Sequence, residues 1–318
     1  MLRRLIVLCL LLFVSASASA SASASATGVG VGVVIGSSSY SSSPSNREKL
    51  CIVRGFQKKF DLPLQIRSNA HSALGTYKAI NELDSHVVAL PLLTNELPTQ
   101  DELMKSDKVY ILSSSASFLP TKRFYSVIPD IDKQAKFISE YVNDDFIMIG
   151  DDSDYSKLAK KALQNYRSFD FFNITSIEDI EDIEDRLDTS KVILAIPLKK
   201  ISCVFNKLKK INKKIEIISF DIGALRDREI ALFKNNDRIK YSWVKNWNGE
   251  TTSSFRDVYS IYCSEIQRKP TFLNVLTYDV LMASYAYINR LKSFESARLQ
   301  KEVSLGNIED SFFIETIK

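Results

Sequence analysis

The sequence predicts an α/β protein with two lobes of parallel sheet flanked by helices, and three observations carry that expectation. Short apolar runs rich in Val and Ile recur along the chain. Stretches with helical spacing of apolar residues separate them, and strands that alternate with helices pair in parallel. At 318 residues and 45% apolar content, the chain exceeds the usual single domain and can fill two cores.

The first 27 residues differ from the rest. Arg3 and Arg4 precede the apolar block Leu5 to Val14, and alternating Ser and Ala follow up to Thr27. A charged start, a short apolar block and small-residue sites ending at Ala24-Ser25-Ala26 predict a cleaved export signal over residues 1–26. The block is far shorter than the roughly 20 residues that cross a bilayer. Removing Arg3 and Arg4 from the 42 Lys plus Arg leaves 40 against 38 Asp plus Glu. So nearly balanced a charge argues against nucleic acid or another polyanion as partner.

In order, the predicted strands are Val29 to Ile35, Leu64 to Arg67, His86 to Leu90, Val109 to Leu112, Phe146 to Ile149, Val192 to Ile196, Ile215 to Phe220 and Ile239 to Val244. The predicted helices are Arg47 to Phe60, Ser72 to Leu83, Asp132 to Val142, Asp154 to Tyr166, Ile177 to Leu187 and Leu198 to Ile211. In the last two, Ile177, Ile180, Ile183 and Leu187, and Ile201, Val204, Phe205, Leu208 and Ile211, draw apolar stripes, with acids or lysines toward solvent.

Ligands of parallel α/β sheets sit beyond the carboxyl ends of the strands. There the sequence collects short hydroxyls and a few rings and acids: GSSSYSSSPS with Tyr40, PLLTNE with Thr94, SSSAS over Ser113 to Ser117, GDDSDY with Tyr155, and DIGA with Asp221. Any one such loop could be explained by helix capping; five together predict a binding site at the strand tips.

Catalytic patterns are missing. His71 and His86 have no partner at metal or triad spacing and are expected to be structural. GVGVGVVIG leads into a strand, whereas a dinucleotide motif follows one. No nucleophile has a visible base, so the expectation is a non-enzyme without cofactor or metal. Of the cysteines beyond the signal, Cys51, Cys203 and Cys263, one pair could bridge, but three buried thiols are the expected state.

The order of features from Val33 to about Lys292 resembles the type 1 periplasmic substrate-binding proteins, above all the leucine and branched-chain amino-acid binders. The stretches that carry the likeness are VVALPLLTN, VYILSSSASFLP, FYSVIPDIDKQAKFISEYV, IMIGDDSDYSKLAKKAL and RKPTFLNVLTYDVLMASYAYI. The most specific are the D-Y-S turn that opens a helix and the late Y-D of Tyr278 and Asp279. The resemblance implies lobe 1 over 27–120, lobe 2 over 121–244 and a return mainly to lobe 1 over 245–292, with 293–318 assigned to neither. It implies a solute, amino-acid-like, held between the lobes and handed to the membrane permease of an ABC transporter, in the periplasm. By motif position Ser115, Ala116 and Ser117, with Thr94, would hold the solute carboxylate. Tyr155 and Tyr40 would wall the site, and Asp221 would meet the ammonium group. The penicillin-binding protein activators resemble the same fold and supply the second reading, a regulator of cell-wall synthesis.

Overall fold

A computed structural model describes residues 30–36, 44–114, 122–176, 179, 190–196, 198–220, 237–245, 247–266, 269–305 and 312–317. The predicted helix Ile177 to Leu187 lies outside them but for Asp179.

The first sheet contains β1 (Val31–Ile35), β2 (Leu64–Ser68), β3 (Val87–Leu90), β4 (Val109–Leu112) and β5 (Phe124–Ser126), in the spatial order β2-β1-β3-β4-β5 with every pair parallel. β1, β3 and β4 are buried along their whole length, as expected where helices cover both faces of a parallel sheet. That is why they read in the sequence as unbroken apolar runs.

Around this sheet lie α1 (Pro44–Phe60), α2 (Ala73–Asn81), the short α3 (Gln100–Met104), α7 (Ser253–Tyr262) and α8 (Phe272–Ile288). α8 packs on α1 and on β3 and β4. Apolar nearly all round, it buries Val275, Leu276, Val280 and Leu281. Its start is fixed by a reciprocal cap: Thr271 Oγ1 accepts from the Asn274 N–H, while Asn274 Oδ1 accepts from the Thr271 N–H at 2.7 Å.

The second sheet holds β6 (Ile147–Gly150), β7 (Asp170–Asn173), β8 (Lys191–Ala195), β9 (Ile215–Ser219), β10 (Ile239–Lys245) and β13 (Phe313–Ile317), in the order β7-β6-β8-β9-β10-β13. Only the β10–β13 pair is antiparallel. Among its helices are α4 (Ile131–Tyr141), α5 (Asp154–Gln164) and α6 (Leu198–Leu208). The predicted stripe of α6 is its core face, with Ile201, Val204, Phe205 and Leu208 buried against β8 and β9 residues such as Val192 and Ile217.

The chain passes from the first sheet to the second after β5, returns after β10, and crosses again after the hairpin β11 (Ser293–Ser296) and β12 (Lys301–Ser304) to deliver β13. At the first crossing Val127 and Ile128 are buried, and the guanidinium of fully buried Arg298 donates to the Val127 carbonyl at 3.0 Å. Asp279, the acid of the Y-D motif, faces inward: its carboxylate accepts from Ser296 Oγ at 2.8 Å and from the Ala297 N–H at 2.7 Å, with Arg298 Nε at 3.8 Å. The motif therefore ties the hairpin to α8.

Of the eight predicted strands Val109 to Leu112 appears with the same ends and the other seven with an end shifted by one or two residues. β5, β7 and the strands of residues 293–317 were not foreseen. The cysteine expectation is corrected: Cys51 and Cys263 form a disulfide joining α1 to the end of α7, and the free Cys203 is exposed. Chain folding brings two cysteines 212 positions apart to a Cα separation of 5.5 Å, within the usual range for a bridge.

Candidate functional site

In a doubly wound sheet the ligand crevice opens at the carboxyl ends of the strands, where the strand order reverses. The first sheet reverses between β1 and β3, the second between β6 and β8. α5, which follows β6, touches the 3-10 turn Thr94–Glu96, which follows β3. The two carboxyl edges therefore face each other, and the elements carrying Thr94 and Tyr155 meet across the gap.

On the lobe 1 side the hydroxyls after β4 have two kinds of work. Ser113 Oγ donates to the Leu92 carbonyl at 3.3 Å, a fixing of loop to loop. Ser114 Oγ shares a 2.8 Å hydrogen bond with Thr94 Oγ1, which joins the tips of β3 and β4 into one hydroxyl-bearing edge. Ser115, Ala116 and Ser117 lie outside the described residues, as do Tyr40 and Asp221. Tyr155, in the first turn of α5, is half-buried against the lobe 2 core.

Two buried carboxylates with distant partners, at the reversal points, went unseen in the sequence. Beside β1 and β3, Glu96 is buried: its Oε1 accepts from His71 Nδ1 at 2.8 Å and its Oε2 from the Leu93 N–H at 3.1 Å. A Cβ on Gly36, at the tip of β1, would stand 2.8 Å from Glu96 Oε1, so only glycine leaves room for the carboxylate. Nearby, burial lowers the Lys49 ammonium from its ordinary value, opposed by Glu96, and Lys49 Nζ donates to the Pro91 carbonyl at 3.1 Å. His71 is thus oriented by an acid 25 residues away, a partnership that no local spacing discloses.

Beside β6 and β8, Asp151 is 3% exposed and fully engaged. Lys200 Nζ donates to Oδ2 at 2.6 Å, while Oδ1 accepts from Ser153 N–H at 3.1 Å, Ser156 Oγ at 2.7 Å and Ser153 Oγ. Burial pushes the carboxyl upward, but the bonds from Lys200, Ser153 and Ser156 outweigh it and hold the group at about 2. A carboxyl depressed in the fold stabilises above its ordinary range, and that contribution disappears as pH falls through about 2. Asp151→Asn should accordingly lower stability at neutral pH by on the order of 1–2 kcal/mol, discounted for the solvent near Lys200. The deficit should shrink between about pH 4 and pH 2 in urea melts; a deficit independent of pH would show that the charge is immaterial.

A groove of about 660 Å³ lined by His86, Tyr125, Tyr287 and Arg290 opens at the amino end of β3, opposite the strand tips. It has no convergence of hydroxyls and partnered carboxylates like that at the carboxyl edges. Among the described residues no helix is long and apolar enough to cross a membrane.

This topology defines the class: the chain has the two-lobed fold of the type 1 periplasmic binding proteins. A leucine-binding protein from Thermotoga maritima superposes with a TM-score of 0.63 at 11% identity, covering 82% of this chain and 83% of that one. An extracellular ligand-binding receptor from Rhodopseudomonas palustris gives a TM-score of 0.68 at 15% identity over 92% and 98% of the two chains. An ABC transporter substrate-binding protein from Desulfitobacterium hafniense, in complex with Leu, gives 0.63 at 12% identity over 91% and 97%. No family model matches the sequence, and no curated protein does. At such identities the likeness speaks for the fold.

Proposed function

We propose that the protein is an exported solute receptor of an ABC transporter, holding an amino acid or similar small solute between its lobes. The observation that carries this reading is the meeting of the two carboxyl edges, each with a polar cluster at its strand-order reversal. The hydroxyl edge of Thr94 and Ser114, together with Ser115, Ala116 and Ser117, which come next in the sequence, takes the carboxylate through hydroxyls and backbone N–H groups, without a neutralising cation. Tyr155 and Tyr40 wall the solute, and Asp221 receives the ammonium group. The disulfide supports export, since such bridges persist in oxidising compartments.

The reading is tested by calorimetry of the mature protein with a panel of amino acids, on wild type and Asp221→Asn. Truncating one side of a desolvated charge pair costs about 2–5 kcal/mol, so the variant should bind at least about tenfold more weakly. Ser117→Ala, which loses one neutral hydroxyl, should cost about 1 kcal/mol. Equal affinity of wild type and Asp221→Asn would remove Asp221 from the site. Absence of binding to the whole panel would turn the reading toward the activator-like scaffold.

A further inference from the structure

Resting on that reading, we infer that the solute is acidic, with a second carboxylate that Lys200 of lobe 2 receives. Lys200 stands in the first turn of α6, just beyond β8, and its ammonium is bonded to Asp151 just beyond β6. Those two strands flank the reversal of the second sheet, where the crevice opens. The same edge carries α5 into contact with the Thr94–Glu96 turn of lobe 1.

What this tip can offer a ligand follows from how its polar atoms are used. Both oxygens of Asp151 already accept, from Lys200, Ser153 and Ser156, and the group is buried, so it cannot receive a solute ammonium. Lys200 keeps the opposite capacity. One of its three N–H donors goes to Asp151, and the side chain remains 38% exposed. Asp151 therefore acts as a positioning residue that holds an ammonium at the crevice edge with donors to spare. Lobe 1 brings the half-buried Thr94 hydroxyl, bonded to Ser114, to its own edge. On the proposed reading that edge takes one carboxylate, and the Lys200 ammonium suits a second. With an ammonium between them, that is the chemistry of an acidic amino acid. An apolar side chain would leave the Lys200 donors unmatched when closure removes water, which is penalised, and an amide oxygen would accept one of them without the charge that makes a carboxylate the stronger partner.

The test uses matched pairs on the mature protein: glutamate against glutamine and aspartate against asparagine, with leucine alongside, by calorimetry on wild type, Lys200→Gln and Lys200→Arg. At least one acid should bind wild type about tenfold or more tighter than its amide. Lys200→Gln should erase that preference, and Lys200→Arg should retain most of it. Thermal melts of the ligand-free variants show that each is folded before it is titrated. Amides or leucine binding wild type as tightly as the acids would overturn the inference while leaving the receptor reading intact. So would an acid preference that survives in Lys200→Gln. Failure of all five solutes to bind would remove the inference together with the amino-acid reading on which it rests.

Discussion

Replacing Cys51 and Cys263 together by alanine should lower the stability of the protein by about 2–5 kcal/mol. The bridge joins positions 212 apart, so in the unfolded chain it removes the freedom of a very long loop. The chain-entropy estimate for such a loop is about 5 kcal/mol, an upper figure because unfolded chains keep some structure. The native surroundings add to the expectation. Cys263 is buried at the end of α7, and a Cβ on Gly55, one turn after Cys51, would come within 2.7 Å of the Tyr262 ring. The two helices are thus packed closely at the bridge, and its loss lets that contact open. Urea unfolding of wild type with and without reductant, and of the double variant, measures the effect. A loss below about 1 kcal/mol would mean that packing of α1 on α7 and α8 suffices without the bridge.

The second large effect is expected at Arg298. Its side chain and that of Asp279 are both fully buried, 3.8 Å apart, under the hairpin that leads to the last crossing. Arg298→Ala leaves the Asp279 carboxylate inside without its cation, and breaking a buried pair on one side costs about 3–5 kcal/mol. The variant also removes the donor to the Val127 carbonyl, at the first crossing between lobes. Burial raises the Asp279 carboxyl to about 6, more than Arg298 and the bonds from Ser296 and Ala297 can pull it down. A carboxyl raised in the fold contributes stability that is fully present below its ordinary pKa near 4 and lost as pH rises through about 6. This group on its own therefore weakens the fold between pH 4 and pH 7. In Arg298→Ala the carboxyl can take up a proton at low pH, so the deficit should be largest at pH 7 and smaller at pH 4. Urea melts at the two pH values decide; equal deficits would show that lost packing, and not charge, is the cause.

The strands buried on both faces were plain in the sequence because burial on both faces demands an unbroken apolar run, as in Val87–Leu90 and Ile147–Gly150. β5 has three residues and β7 is a half-buried edge strand, so neither makes such a run. β12 reads Lys-Glu-Val-Ser with only Val303 buried, a pattern that a polar loop would share. At the candidate site, the hydroxyls of Thr94 and Ser114 were legible because loops past strand tips can be read locally. The partnerships were not, since Glu96 reaches back 25 residues to His71 and Asp151 forward 49 to Lys200. Such pairings depend on which strands become neighbours, and that is decided by the packing of whole sheets. Asp279 shows the converse: a motif visible in the sequence holds the scaffold, its carboxylate taken up by Ser296, Ala297 and Arg298.

The antiparallel strand β13 has a consequence for how the protein is made. β10 is complete at Lys245, yet its outer edge is covered only when Phe313–Ile317 arrive, after α7, α8 and the hairpin have packed beside the first sheet. Until that strand docks, the β10 side of the second sheet presents a row of unpaired backbone donors and acceptors, the kind of edge to which a neighbouring chain can add. Neither lobe can be finished from one contiguous stretch, so the polypeptide is committed to assembling both together.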